Sequence, residues 1–141
     1  MIRTLSSIIL EIEKQTTDEA QADVMRKNSS AALKTIIGYA LDPGVKWMIP
    51  PGAPPYKQLH EAADQEGKLY SECVRMFIYF VDSPENRNIT QIKREQLFIQ
   101  VLESVDRDDA KLILRVKDKA LNISRKAVTL AFPNMTKDWP E

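Results

Sequence analysis

Ser29-Ser-Ala-Ala-Leu-Lys-Thr-Ile-Ile-Gly-Tyr-Ala-Leu-Asp-Pro-Gly44 carries a helix start, an apolar stripe and a helix stop in one short stretch. Ser29 or Ser30 offers a side-chain oxygen to an orphan backbone N–H of the first turn. Leu33, Ile36, Ile37, Ala40 and Leu41 recur at three- and four-residue spacing, the period of a helix with one buried face. Asp42-Pro43-Gly44 ends it, because proline cannot continue a helix and glycine tolerates the reversal.

The same pattern extends in both directions. Upstream, Ile2, Leu5, Ile8, Ile9 and Ile12 predict a helix over about residues 3–15. Thr16 and Thr17, followed by Asp18 and Glu19, open a second that runs to about Lys27, with Asn28 closing it in a left-handed conformation. Downstream, Pro50, Pro51, Pro54 and Pro55 force an irregular path from Val45 to Lys57. Helical character resumes near Leu59, and the apolar stretch Leu69–Val81 reads as the most buried helix. Thr90 caps the next, with Leu97, Phe98, Val101 and Leu102 as its stripe. Asp106 caps another, burying Ala110, Leu112, Ile113, Leu114 and Val116. Ser124 opens a last helix with Val128, Leu130 and Phe132, ended by Pro133. No segment alternates with period two. The expectation is an all-α fold: one compact domain, residues 1–141, of six or seven helices with a Pro-rich irregular segment after the third.

With 141 residues and 43% apolar content the chain has the length and composition of one domain with a real core. One cysteine, Cys73, excludes an internal disulfide and reads as a small buried hydrophobe. The N-terminus lacks the basic start and cleavage site of a signal peptide, and no apolar run approaches a membrane span. A cytoplasmic protein with no membrane partner is expected. The single histidine, His60, stands one turn from Asp64, too few ligands for a metal site. It also leaves no imidazole-based nucleophile arrangement. Gly38, Gly44, Gly52 and Gly67 are scattered, so there is no phosphate-cradling loop. No catalytic centre, cofactor or metal is expected.

Charge is balanced overall, with 20 basic and 20 acidic residues, but not evenly placed. Lys111, Arg115, Lys117, Lys119, Arg125 and Lys126 face only Asp118 between positions 111 and 126, while Leu59–Glu72 leans acidic. The basic segment spans a helix–turn–helix junction. A helix start at Ser124 would present unpaired N–H groups to a phosphate. Asn122 before it accepts positive φ and would let a backbone approach closely. A capped surface helix with solvated lysines explains the same residues without a ligand.

The last third, Asp109-Ala-Lys-Leu-Ile-Leu-Arg-Val-Lys-Asp-Lys-Ala-Leu-Asn-Ile-Ser124 followed by Ala131-Phe-Pro-Asn-Met135, resembles part of the N-terminal helical domain of phage ATP-dependent DNA ligases. Arg115 stands at that family's arginine, Asn122 where it usually has glycine, and Phe132-Pro133-Asn134 at its terminal tripeptide. Ile9–Ile12, Lys27-Asn28 and Leu33–Ala40 match in order. The chain is also similar over nearly its whole length to short uncharacterised proteins of large tailed phages, especially those of cyanobacteria. Tyr39-Ala-Leu-Asp-Pro-Gly-Val-Lys-Trp47, Pro54-Pro-Tyr-Lys57, Asp64-Gln-Glu-Gly67 and Arg94-Glu-Gln-Leu-Phe-Ile-Gln100 carry that likeness. The ligase resemblance implies a domain that grips duplex DNA across the minor groove near a nick, through backbone and sugar contacts. In ligases the chemistry belongs to a separate nucleotidyltransferase domain with a Lys-x-Asp-Gly motif, which this sequence lacks.

Two readings follow. In the first, Lys111, Arg115, Lys117, Lys119, Asn122, Ser124, Arg125 and Lys126 contact the phosphates of duplex or nicked DNA, without sequence preference, in the cytoplasm of an infected bacterial host. In the second, the scaffold binds a viral or host protein through Trp47, Met48, Ile49 and Tyr56 as an exposed apolar anchor. Packing of those four side chains into the core is the competing explanation for them.

Overall fold

The computed structural model describes residues 5–57, 76–84, 88–105 and 107–140. His60, Asp64, Cys73, the acidic 59–72 stretch and the Asp106 cap lie outside them. Among the described residues there are seven α-helices and no strand, so the fold is all-α. They are α1 (Leu5–Lys14), α2 (Asp18–Lys27), α3 (Ala31–Leu41), α4 (Gln91–Ser104), α5 (Arg107–Lys117), α6 (Arg125–Ala131) and α7 (Pro133–Thr136).

Each hydroxyl expected to cap a helix and described here does so. Thr17 accepts from Ala20 N, Ser30 from Leu33 N, Thr90 from Lys93 N and Ser124 from Ala127 N, at 2.9–3.1 Å. Each such cap contributes about 1 kcal/mol. Asn28 closes α2 differently from the expectation. It has φ −115°, not a left-handed value, and its side-chain amide donates to Val24 O at 2.9 Å.

The apolar stripes meet in one core. Ile9 and Ile12 of α1, Leu33, Ile36 and Ile37 of α3, Phe98 and Leu102 of α4 and Ile113 of α5 are essentially inaccessible. α5 is central, packing on α1, α3 and α4, while α2 lies along α6 and α6 on α7. Leu130, expected inside, is 39% exposed; Ala127 and Val128 form the buried side of α6 instead.

Of the helix expected over Leu69–Val81, residues 69–75 lie outside the described residues, and the described part does not continue as a helix to Val81. Residues 77–79 form a single 3₁₀ turn, and Val81 pairs with Trp47 in an isolated antiparallel bridge. A continuing helix would join Asp82 N–H to Ile78 O. Here Asp82 N–H donates to Lys46 O at 2.8 Å, and the Ser83 hydroxyl takes over Ile78 O at 3.0 Å. Met48 N–H donates to Phe80 O at 2.7 Å and completes the clasp. The Pro-rich segment is thereby drawn onto the core, where Tyr39, Trp47, Phe77, Phe80 and Phe98 form a chain of tilted and edge-on ring contacts at 5.2–6.0 Å.

Candidate functional site

The α5–α6 junction is a built turn. α5 ends in a paired motif: Ala120 N–H reaches back to Arg115 O at 2.8 Å and Lys119 N–H to Val116 O at 3.0 Å. That geometry requires a left-handed residue at Lys119, whose φ is +54°. Asn122, expected to supply the positive φ, does not; Lys119 and Gly52 are the residues with positive φ among those described.

Two other helices and the C-cap of a third hold this turn. The Glu13 carboxylate, on α1, accepts from the Arg115 guanidinium and from Asn122 N–H at 2.7 Å. Gln21 of α2, 7% exposed, uses both ends of its amide on the turn's backbone. It donates to Asn122 O at 3.0 Å and accepts from Ser124 N–H at 3.2 Å. The Ser124 hydroxyl donates to Asp18 Oδ1 at 2.5 Å while capping α6. Lys119 Nζ donates to Asp42 O, where α3 ends, at 2.6 Å. Burial holds the Lys119 ammonium below the ordinary lysine value, with Asp42 pulling the other way.

Lys117 was expected at a phosphate, and here the structure corrects the sequence. Its side chain is wholly buried, its ammonium paired with Asp118 and donating to Pro50 O at 2.9 Å. Asp118 Oδ2 in turn accepts from Gly52 N–H at 3.3 Å. The pair staples the Pro-rich segment to the end of α5. Ser124 is likewise not an open anion site: its own hydroxyl fills the cap, and the Asp18 carboxylate occupies the space beside it. Arg115 is spent on Glu13 and donates to Ala120 O at 3.4 Å. Arg125 donates to Pro140 O at 2.8 Å and Trp139 O at 3.2 Å, its guanidinium 5.7 Å from the Trp139 ring centroid.

What remains at the surface is Lys111, Lys119, Asn122 and Lys126. Lys111 and Lys126 have no hydrogen bond or ion pair among the described residues. Lys111 stands on the rim of an open groove of about 670 Å³ between α1 and α5, which also holds Leu10 and Lys14.

Trp47, Met48, Ile49 and Tyr56 do not form one exposed apolar patch. Trp47 is half-buried, its Nε1–H donating to Tyr39 O at 3.0 Å. Ile49 is buried and Tyr56 packs against the core. Of the four, the large apolar side chain left at the surface is Met48, 38% exposed.

Sequence reasoning missed Gln21 and Arg94 as structural residues, yet both stand in register with apolar stripes, Gln21 with Val24 and Met25, Arg94 with Phe98 and Val101. Lys117 does too, seven residues after Ala110 and four after Ile113. A polar residue inside a buried stripe was the legible signal. Among the described residues no three histidine, cysteine or acidic side chains converge to hold a metal, and no helix is long and apolar enough to cross a membrane. No curated protein matches the chain. The family model for DUF6433, a family of unknown function, matches residues 8–123, and the chain belongs to that family.

Proposed function

We propose that this domain is a non-catalytic phage DNA-binding module that grips duplex DNA through phosphate contacts, in the cytoplasm of an infected bacterial host. The observation that carries the reading is the anchoring of the α5–α6 turn. Its backbone is tied to α1 and α2 and its Lys119 side chain to the end of α3, and Lys111 on α5, Lys119 and Asn122 on the turn and Lys126 on α6 are all exposed. Cations on a prefixed scaffold lose little freedom on binding, which is what phosphate recognition without base reading needs. The resemblance of residues 109–135 to the helical domain of DNA ligases supports the same assignment. Arg115, Lys117, Ser124 and Arg125 are excluded from the contact set.

Three phosphate contacts imply a salt slope of about −2.7, so raising salt fourfold should weaken binding about 40-fold. Lys111→Glu with Lys126→Glu leaves every described hydrogen bond in place. The double variant should lose retention of nicked and intact duplex in a gel shift. Retention equal to the wild type would overturn the proposal.

A further inference from the structure

A second basic surface lies beside the turn. Val45, Lys46, Trp47, Pro51, Asp118 and Lys119 line a shallow groove of about 450 Å³. Its lining joins apolar Val45, Trp47, Ile49 and Pro51 to three lysines and one carboxylate, Asp118. The Lys117 charge is paired with Asp118, which leaves Lys46 and Lys119 as the cations of the groove that carry no ion pair, with Asp42 beside Lys119. Lys46 is exposed, and its described bond uses only its backbone carbonyl. Lys119 gives one of its three ammonium protons to Asp42 O and keeps two. The Trp47 ring cannot turn out of the groove wall, because its N–H is tied to Tyr39 O and its edges meet Tyr39 and Phe77 at 5.9 and 5.4 Å.

We propose that this groove seats the sugar–phosphate backbone of one strand of duplex DNA, with sugars against Trp47 and Pro51 and phosphates at Lys46 and Lys119. A nucleic-acid strand alternates an apolar ring with an anion, and the groove matches that alternation with fixed apolar walls between two lysines. The inference rests on the DNA-binding reading and extends it: Lys119 belongs to both surfaces, so the strand continues from the turn into the groove.

The test uses the full chain with 5-fluorotryptophan at Trp47 and Trp139, the two resonances being assigned with Trp47→Phe. On titration with a short duplex the Trp47 fluorine resonance should shift. With Lys46 as a fourth phosphate contact the wild-type slope becomes about −3.6, and Lys46→Ala should return it to about −2.7. A Trp47 resonance that stays put at saturating duplex, or an unchanged slope in Lys46→Ala, overturns the groove while leaving the turn contacts standing. Failure of the wild-type protein to retain duplex at all overturns both.

Discussion

Replacing Lys117 with methionine separates a structural cation from a binding one. Methionine keeps an unbranched apolar stem of similar length, so the packing of that stem against the core is conserved. What disappears is the ammonium and its bond to Pro50 O, a charge-assisted contact at 2.9 Å with no water access, the side chain being 0% exposed. Such a bond contributes about 1.5–3 kcal/mol. Asp118 is left without its partner, but it is about one-third exposed and keeps Gly52 N–H, so water relieves most of that cost. The expected loss is about 2 kcal/mol. With an unfolding entropy of about 0.3 kcal/mol/K for a domain of this length, the midpoint falls about 7 °C. Thermal unfolding followed by circular dichroism measures it. The same variant, assayed below its lowered midpoint, should bind duplex with the wild-type salt slope, because a buried ammonium releases no counterion. A wild-type midpoint together with a flattened salt slope would refute the reasoning on both counts and return Lys117 to the phosphate contacts.

Two further variants probe the turn. Lys119 holds a left-handed φ that costs a residue with a Cβ about 1 kcal/mol more than glycine, so Lys119→Gly should unfold about 3 °C above Lys119→Ala; equal midpoints would mean the backbone is not strained there. Glu13→Ala removes the acceptor shared by Arg115 and Asn122 N–H and should cost about 2 kcal/mol, with faster hydrogen exchange at the Asn122 amide than at the core of α5; unchanged exchange would show that Glu13 does not hold the turn.

α2, α3, α4 and α6 were legible because each is written twice, once as an apolar stripe and once as a cap. Ser30, Leu33 and Ile37 agree with one another, so the reading of α3 had independent supports. The end of the stretch to Val81 was not legible, since Phe77, Phe80 and Val81 suit a buried helix and a buried bridge equally. The decision came from Lys46 and Met48, some thirty residues away, which take the polar groups of Phe80 and Asp82. The basic edge was half legible. Counting charges finds six cations in sequence, but the acids that neutralise or surround them, Glu13, Asp18 and Asp42, come from other helices and are invisible to a local count.

Three of the buried polar residues share one task. Lys117 reaches Pro50 O, Arg94 reaches Tyr79 O at 3.1 Å, and Gln21 reaches Asn122 O. Pro50 and Asn122 lie in irregular segments and Tyr79 ends a single 3₁₀ turn, so none of the three carbonyls has a continuing helix or ladder to bond to. A buried carbonyl left unpaired there would be costly, and a donor carried on a neighbouring helix removes that cost. Among the described residues no buried side-chain nitrogen or oxygen is left without a partner. A cation at such a position is therefore committed before any ligand arrives. Lys111 and Lys126 stand outside the stripes and serve no carbonyl among the described residues, so a charge reversal there breaks no described hydrogen bond. That asymmetry is why a DNA-binding defect in Lys111→Glu with Lys126→Glu reports on binding, whereas the same defect in a Lys117 variant would report on folding.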